Sequence, residues 1–122
     1  MNPAKIILVV EDEPMLQQNI VAILELHGFK TLTASSGAEG LLVAKNNFVD
    51  IILSDMMMEN MNGLELLKEI KAINSTKTIP FIFLTAFADN TDKTNGLQAG
   101  ADAYITKPFN IKELIQTIKR FI

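Results

Sequence analysis

Cysteine and tryptophan are absent from the chain, and histidine and tyrosine occur once each, as His27 and Tyr104. A disulfide framework and a Cys/His zinc site are therefore excluded. Basic excess is missing too: 11 Lys and Arg stand against 14 Asp and Glu, for a net charge of -3 and a pI near 5.1. With the lysines scattered, no nucleic-acid footprint and no polybasic membrane patch is formed, so this domain is expected to make no direct DNA contact. No apolar run approaches the length of a membrane span, and Met1 to Lys5 lacks the layout of a signal peptide. These absences lead us to expect a soluble, cytoplasmic protein. Long linkers, internal repeats and low-complexity segments are also lacking. The 122 residues, 48% of them hydrophobic, suit one domain over 1–122 with its own core.

Short apolar runs alternate with helical periodicity along the chain. Ile6 to Val10 is a continuous aliphatic run ended by Glu11-Asp12-Glu13-Pro14, which predicts a buried strand and then an acidic loop. Pro14 suits the first turn of a helix carried by Leu16, Ile20, Ile23 and Leu24 and stopped by Gly28. His27 falls at the end of that helix, where the dipole favours a cation, and is read as structural. Lys30 to Ala34 reads as a second strand, and Ser35-Ser36-Gly37 offers an N-cap to a helix bearing Ala38, Leu41 and Leu42 that ends at Asn46-Asn47. The third strand is the run from Val49 to Ser54, closed by Asp55; a loop through Gly63 leads to a helix marked by Leu66, Leu67, Ile70 and Ile73. Pro80 to Leu84 is a fourth strand ending at Thr85. A weak helix with Gly96 and little apolar stripe follows around Thr91 to Ala99. Tyr104 to Thr106 is a fifth strand, and Ile111, Leu114, Ile115, Ile118 and Ile122 mark a final amphipathic helix.

Five strands alternating with five helices predict an α/β fold with a parallel sheet covered on both faces, because right-handed crossovers lay each helix back over the sheet. In such a sheet all carboxyl ends of the strands share one edge, where open α/β folds place their chemistry. That edge gathers Glu11 and Asp12, then Asp55, Thr85 and Lys107. Each alone has an ordinary explanation as a helix start, a turn or a solvated side chain. Together they form a site. Carboxylates converging there repel by roughly 4 kcal/mol per pair at about 4 Å in an effective dielectric of about 20, and so call for a cation. Oxygen ligands without His or Cys select a hard ion, and a sparse set that leaves room for water and phosphate suits Mg²⁺ better than Ca²⁺. An ammonium and a hydroxyl match the remaining oxygens of a phosphoryl group.

The segments Val9-Val10-Glu11-Asp12-Glu13-Pro14, Asp55-Met56-Met57-Met58 through Gly63, Leu84-Thr85-Ala86, Gly100-Ala101-Asp102-Ala103-Tyr104 and Lys107-Pro108-Phe109 resemble the receiver domain of two-component response regulators, in order and over nearly the whole chain. The resemblance implies a flavodoxin-like, doubly wound sheet of order 2-1-3-4-5 and an aspartyl-phosphate switch. It makes Asp55 the phosphoacceptor and gives Mg²⁺ to Glu11, Asp12, Asp55 and the backbone carbonyl of Met57. Thr85 and Lys107 would bind the phosphoryl oxygens, Thr85 and Tyr104 would form the switch, and the Lys107-Pro108 bond would be cis. The implied donor is a sensor histidine kinase or histidine phosphotransfer protein. The implied output surface, formed by the weak fourth helix, the fifth strand and the final helix, would meet an effector domain or target protein. Such a domain is not an enzyme on other substrates; it catalyses only its own phosphorylation and dephosphorylation.

Competing readings are weaker. A Mg²⁺-dependent phosphatase with an Asp nucleophile wants a carboxylic acid two residues further on, where Met57 stands. A phosphorylation-independent interaction module would not need the acidic pair, Thr85 and Lys107. An FMN binder lacks its Ser/Thr/Gly-rich phosphate loop, since an acidic loop follows the first strand.

The chain departs from the family at Glu59, where a proline is common, so the loop loses a φ restraint and gains a charge beside the site. The family also varies at the positions of Met57 and Phe87, both apolar here. Neither side chain can orient a water behind the phosphorus, so the phosphorylated form is expected to lose its phosphate slowly. A positioned water commonly contributes ~10²-fold through orientation. The decay of Asp55 phosphate with Mg²⁺ present should accordingly speed up markedly in Met57→Asn/Phe87→Glu; equal rates would remove the shielding effect.

Overall fold

The computed structural model describes residues 3–56, 58, 62–85, 97–98 and 100–122, with position 85 described through its backbone. Five strands form one parallel sheet: β1 (Ile6–Val10), β2 (Lys30–Ala34), β3 (Ile51–Ser54), β4 (Phe81–Thr85) and β5 (Ala103–Thr106), in the order β2-β1-β3-β4-β5. The helices are α1 (Pro14–Leu26), α2 (Gly37–Asn46), α3 (Gly63–Ala72) and α4 (Ile111–Lys119). The helix expected over Thr91 to Ala99 lies outside the described residues except for Leu97 and Gln98, which are helical. No helix among the described residues is long and apolar enough to cross a membrane.

Strand periodicity sorts the core into two layers. Ile7, Val9, Ile51, Leu53, Ile82 and Leu84 face α1 and α4, meeting Ile20, Leu24, Leu114, Ile115 and Ile118. Leu8, Val10, Ile52, Phe81 and Phe83 point the other way, onto Ala44 of α2 and Leu66, Leu67 and Ile70 of α3. Because both faces are covered, the inner strands β1, β3 and β4 read as largely apolar runs, while the edge strand β2 alternates with polar residues. Boundaries differ slightly from expectation. β4 starts at Phe81, Pro80 serving only as acceptor for the Ile52 N–H at 2.9 Å, and β5 begins one residue early, at Ala103.

The contact faces of two helices need correction. On α2 the expected Ala38 and Leu42 are exposed, and Gly37, Gly40 and Ala44 are buried instead. Small residues let this helix sit close to Val10. On α4 the buried stripe is Leu114, Ile115 and Ile118; Ile111, in the first turn, and Ile122, beyond the helix end, are exposed. The caps follow the sequence. Ser36 Oγ accepts from the Glu39 N–H at 3.1 Å while Glu39 Oε2 accepts from the Ser35 N–H, and Asn62 and Asn110 cap α3 and α4 in the same way. His27 Nδ1 donates to the Ile23 carbonyl at 2.8 Å, a structural use at the end of α1.

At the amino edge, two aspartates pin neighbouring strands. The Ile6 N–H donates to Asp50 Oδ2 while the Asp50 N–H donates to the Ile6 carbonyl, and Phe81 and Asp102 repeat the exchange, all within 2.8–2.9 Å.

Gly63 opens α3 directly over the end of β3, its N–H donating to the Met56 carbonyl at 2.7 Å. A methyl group there would fall onto the Asp55 carbonyl oxygen, and within 2.9 Å of Met56 Cα and the Phe83 ring. Backbone cannot yield as a flexible side chain can, so Gly63→Ala should destabilise by about 3 kcal/mol or more. Gly40→Ala meets only side-chain methyl groups, of Val10 at 3.0 and 3.3 Å and of Leu66 at 3.5 Å, and gains helix propensity. It should change stability by less than about 1 kcal/mol. Urea unfolding of both variants checks the contrast.

Candidate functional site

Register assembles the site. Val10 pairs with both Ala34 and Ser54, so the residues that follow, Glu11 and Asp55, emerge side by side at the carboxyl edge. The ladder continues one step beyond the strands: the Asp55 N–H donates to the Val10 carbonyl at 3.1 Å and the Glu11 N–H to the Ala34 carbonyl at 3.0 Å. This is where the strand order reverses, with β1 leading to β2 on one side and β3 lying on the other. Thr85 pairs with Thr106, which puts Lys107 one residue past the same edge.

Carboxyl oxygens of Glu11, Asp12 and Asp55 lie within 4.8 Å of one another. Glu11 is buried, Asp55 is half-buried and Asp12 is exposed. Lys107 Nζ reaches over them, 3.2 Å from Glu11 Oε1 and 3.4 Å from Asp55 Oδ2. The other Glu11 oxygen, Oε2, accepts from the Glu13 N–H at 3.1 Å. Among the described residues one ammonium thus faces three carboxyl groups, all hard oxygen donors of the kind that suit a divalent cation. Of the expected site residues, Glu11, Asp12, Asp55 and Lys107 are brought together, and Thr85 is at the same edge by its backbone position. The carbonyl of Met57, together with Glu59 and Phe87, lies outside the described residues. The Lys107-Pro108 bond is cis.

Tyr104 is half-buried on β5. Its ring stacks edge-on to Phe83, with centroids 6.1 Å apart, and its hydroxyl lies 4.0 Å from Met56 Sδ. Met56, next to Asp55, is buried in the core layer beneath it. A contact chain therefore runs from the carboxylate site through Met56 to the aromatic ring.

Sequence reasoning passed over Gln17, whose Nε2 donates to the Glu11 carbonyl at 3.1 Å and the Ala34 carbonyl at 3.0 Å. Nothing in the sequence separates it from the neighbouring Gln18. It passed over Gly63 as well, because a glycine in a polar loop gives no sign of a close backbone approach.

Burial pushes the Glu11 carboxyl above the ordinary 4.5. The Glu13 N–H draws it back, the Asp55 charge pushes it further up, and Lys107 draws it down. The folded state thus binds this proton more tightly than the unfolded chain does. Its contribution to stability is complete below pH 4.5 and is lost as the pH rises through the raised value. In metal-free buffer, Glu11→Gln should melt at or above wild type at neutral pH, by up to ~4–6 °C for a gain of order 1 kcal/mol. The difference should shrink as the pH is lowered toward that of an ordinary carboxyl. A lower melting temperature at neutral pH would mean that the ion pair with Lys107 outweighs the cost of burial.

Residues 7–119 match the response regulator receiver domain. The chain is 38% identical over 116 residues to the phosphate regulon transcriptional regulatory protein PhoB of Escherichia coli and 41% identical over 116 residues to the response regulator ArlR of Staphylococcus saprophyticus. In each case 95% of this chain and 51% of the relative is covered, so the chain spans about half the length of the curated relatives it matches. Among solved structures, Vibrio cholerae chemotaxis protein CheY4 superposes with a TM-score of 0.92 at 30% identity, covering 98% of this chain and 99% of that one. The receiver domain of a Pseudomonas aeruginosa sensor histidine kinase, solved with a magnesium ion coordinated in its active-site cleft, superposes at 0.90 with 34% identity and 97% coverage of both. The match over nearly the whole chain and the shared fold agree with the acidic edge of the sheet: this chain belongs to the receiver domain family of two-component response regulators, the phosphorylation-dependent switches of signalling.

Proposed function

We propose that residues 1–122 act as one receiver domain in which Asp55 accepts a phosphoryl group from a histidine kinase or histidine phosphotransfer protein. The observation that carries this is the convergence of Glu11, Asp12 and Asp55 within 4.8 Å, with Lys107 over Glu11 and Asp55. The donor set fits Mg²⁺: its oxygens are hard, and among the described residues its three carboxyl groups outnumber the neighbouring ammonium of Lys107. Glu11, Asp12, Asp55 and the Met57 carbonyl would hold the ion. When bound, Mg²⁺ supplies positive charge to the carboxylates and to the incoming phosphoryl oxygens.

This chain's own part in the reaction is positional and electrostatic. An Asp55 carboxylate oxygen attacks phosphorus; the new O–P bond forms as the donor's P–N bond breaks, and the electron pair leaves with the imidazole. Lys107, already 3.4 Å from Asp55 Oδ2, is within reach of the developing phosphoryl charge, and Thr85 serves another phosphoryl oxygen. The dianion left on Asp55 biases a two-state element by its differential contacts with the two states. Tyr104 is suited to that part because its hydroxyl already rests against Met56, the residue next to Asp55. The altered surface, on β5, α4 and the segment before β5, would be read by an effector domain or target protein. The relative PhoB is a transcriptional regulatory protein, which makes transcriptional regulation one such output.

Incubation with a small acyl phosphate and Mg²⁺ should add one phosphoryl group, stable to acid but labile to base and hydroxylamine, with no uptake in Asp55→Ala or in the presence of a chelator. Intact-mass spectrometry reads the outcome. Stoichiometric uptake by Asp55→Ala would move the acceptor elsewhere.

A further inference from the structure

Asp12 differs from its two partners in how it is held. Asp55 is tied to Lys107, and Glu11 is buried and fastened through both carboxyl oxygens, by Lys107 and the Glu13 N–H. Asp12 is exposed, and among the described residues its carboxyl makes no hydrogen bond or ion pair. Its direction must come from the backbone that carries it, and the element that sets this is the Glu11–Asp12 peptide plane. The carbonyl of that peptide accepts from Gln17 Nε2 at 3.1 Å, while the second hydrogen of the same amide goes to the Ala34 carbonyl at 3.0 Å. Ala34 O already accepts from the Glu11 N–H. Gln17 therefore ties the first turn of α1 to the ends of β1 and β2 at once, and its own N–H donates to the Glu13 carbonyl at 3.0 Å. The three-residue acidic loop is thus fixed at the Glu11 carbonyl, the Glu13 N–H and the Glu13 carbonyl.

We propose that Gln17 is a positioning residue for divalent-cation binding, aiming Asp12 by locking the Glu11–Asp12 peptide plane. The chemistry calls for a neutral double donor. A carboxylate at 17 would repel both carbonyls and add charge to an acidic site, and an aliphatic side chain would take this donor from the Glu11 carbonyl and leave the Ala34 carbonyl with the Glu11 N–H alone. Groups that orient metal ligands from outside typically account for ~10-fold or more in metal affinity. The inference rests on the proposal that Glu11, Asp12 and Asp55 take Mg²⁺.

The test titrates Mg²⁺ into wild type, Gln17→Leu, Gln17→Lys and Asp12→Asn in high salt, which screens the added lysine charge. Binding is followed by calorimetry and by the fluorescence of Tyr104, the only tyrosine. Gln17→Leu should bind Mg²⁺ about 10-fold more weakly, and Gln17→Lys, which can again donate to both carbonyls, should recover most of the loss. In the metal-free protein the Asp12 amide resonance should broaden in Gln17→Leu and sharpen in Gln17→Lys, a readout that a merely stabilising residue would not move. Should Gln17→Leu fail to fold, Gln17→Ala takes its place. Affinity within about twofold of wild type in the aliphatic variant overturns the role of Gln17. Failure of wild type itself to bind Mg²⁺, with Asp12→Asn no different, would instead overturn the metal reading on which this rests.

Discussion

The parallel register of β1 against β3 is the constraint on which the rest of the site depends. Val10 opposite Ser54 leaves Glu11 beside Asp55, and a shift of one residue would turn every β1 side chain to the other face of the sheet. Such a slip is opposed by both core layers: Ile7 and Val9 would trade places with Leu8 and Val10, against helices packed to receive the present set. The geometry of the acidic cluster is therefore a by-product of hydrophobic packing. The charged residues need only stand one step beyond a register that apolar residues specify.

Placing carboxyl groups there runs against their solvation. Glu11 is almost wholly buried, and its raised pKa expresses the cost of ionising it in that place. Lys107 is the counterweight, and it arrives from the far side of the sheet, 96 residues later in the chain. A buried acid paired with one lysine contributes little to stability on balance, because desolvation cancels most of the attraction. The arrangement makes sense as a site held ready for added positive charge, which relieves an imbalance that the fold itself leaves in place.

Much of this was legible beforehand, for a definite reason. Strands buried on both faces are unbroken apolar runs, so β1, β3 and β4 could be read from Ile6 to Val10, Val49 to Ser54 and Pro80 to Leu84, and a parallel sheet sends the residues after each run to one edge. Capping residues are local, and Ser36 announced α2 correctly. What stayed hidden was set by tertiary contact. Leu42 reads as core but is exposed, since α2 approaches the sheet through Gly40 and Ala44. Gln17 and Gln18 are indistinguishable as letters, and only the angle at which α1 leaves the sheet brings one of them onto two carbonyls. The strand order itself came from resemblance, because alternation of strands and helices specifies a parallel sheet without specifying the sequence of its neighbours.

The same residue type plays opposite parts at the two edges of the sheet, and donor supply explains the difference. Asp50 and Asp102 precede strands, where the first N–H groups of neighbouring strands point outward without ladder partners; each aspartate takes one at 2.8 Å, and Asp102 also lies 3.7 Å from Lys71. Their charges are met locally by hydrogen bonds that also hold the register. At the carboxyl edge the strands end in carbonyl groups, which are acceptors and give a carboxylate nothing. There the Glu13 N–H donates to Glu11, and Lys107 donates to Glu11 and Asp55. A parallel sheet thus gives its aspartates different surroundings at its two edges: those at the amino edge take backbone N–H groups and are structural, and those at the carboxyl edge join Glu11 in an acidic cluster that could hold a cation. That polarity, together with the reversal of strand order at β1, is why the acidic cluster of this domain lies at one edge and its fasteners at the other.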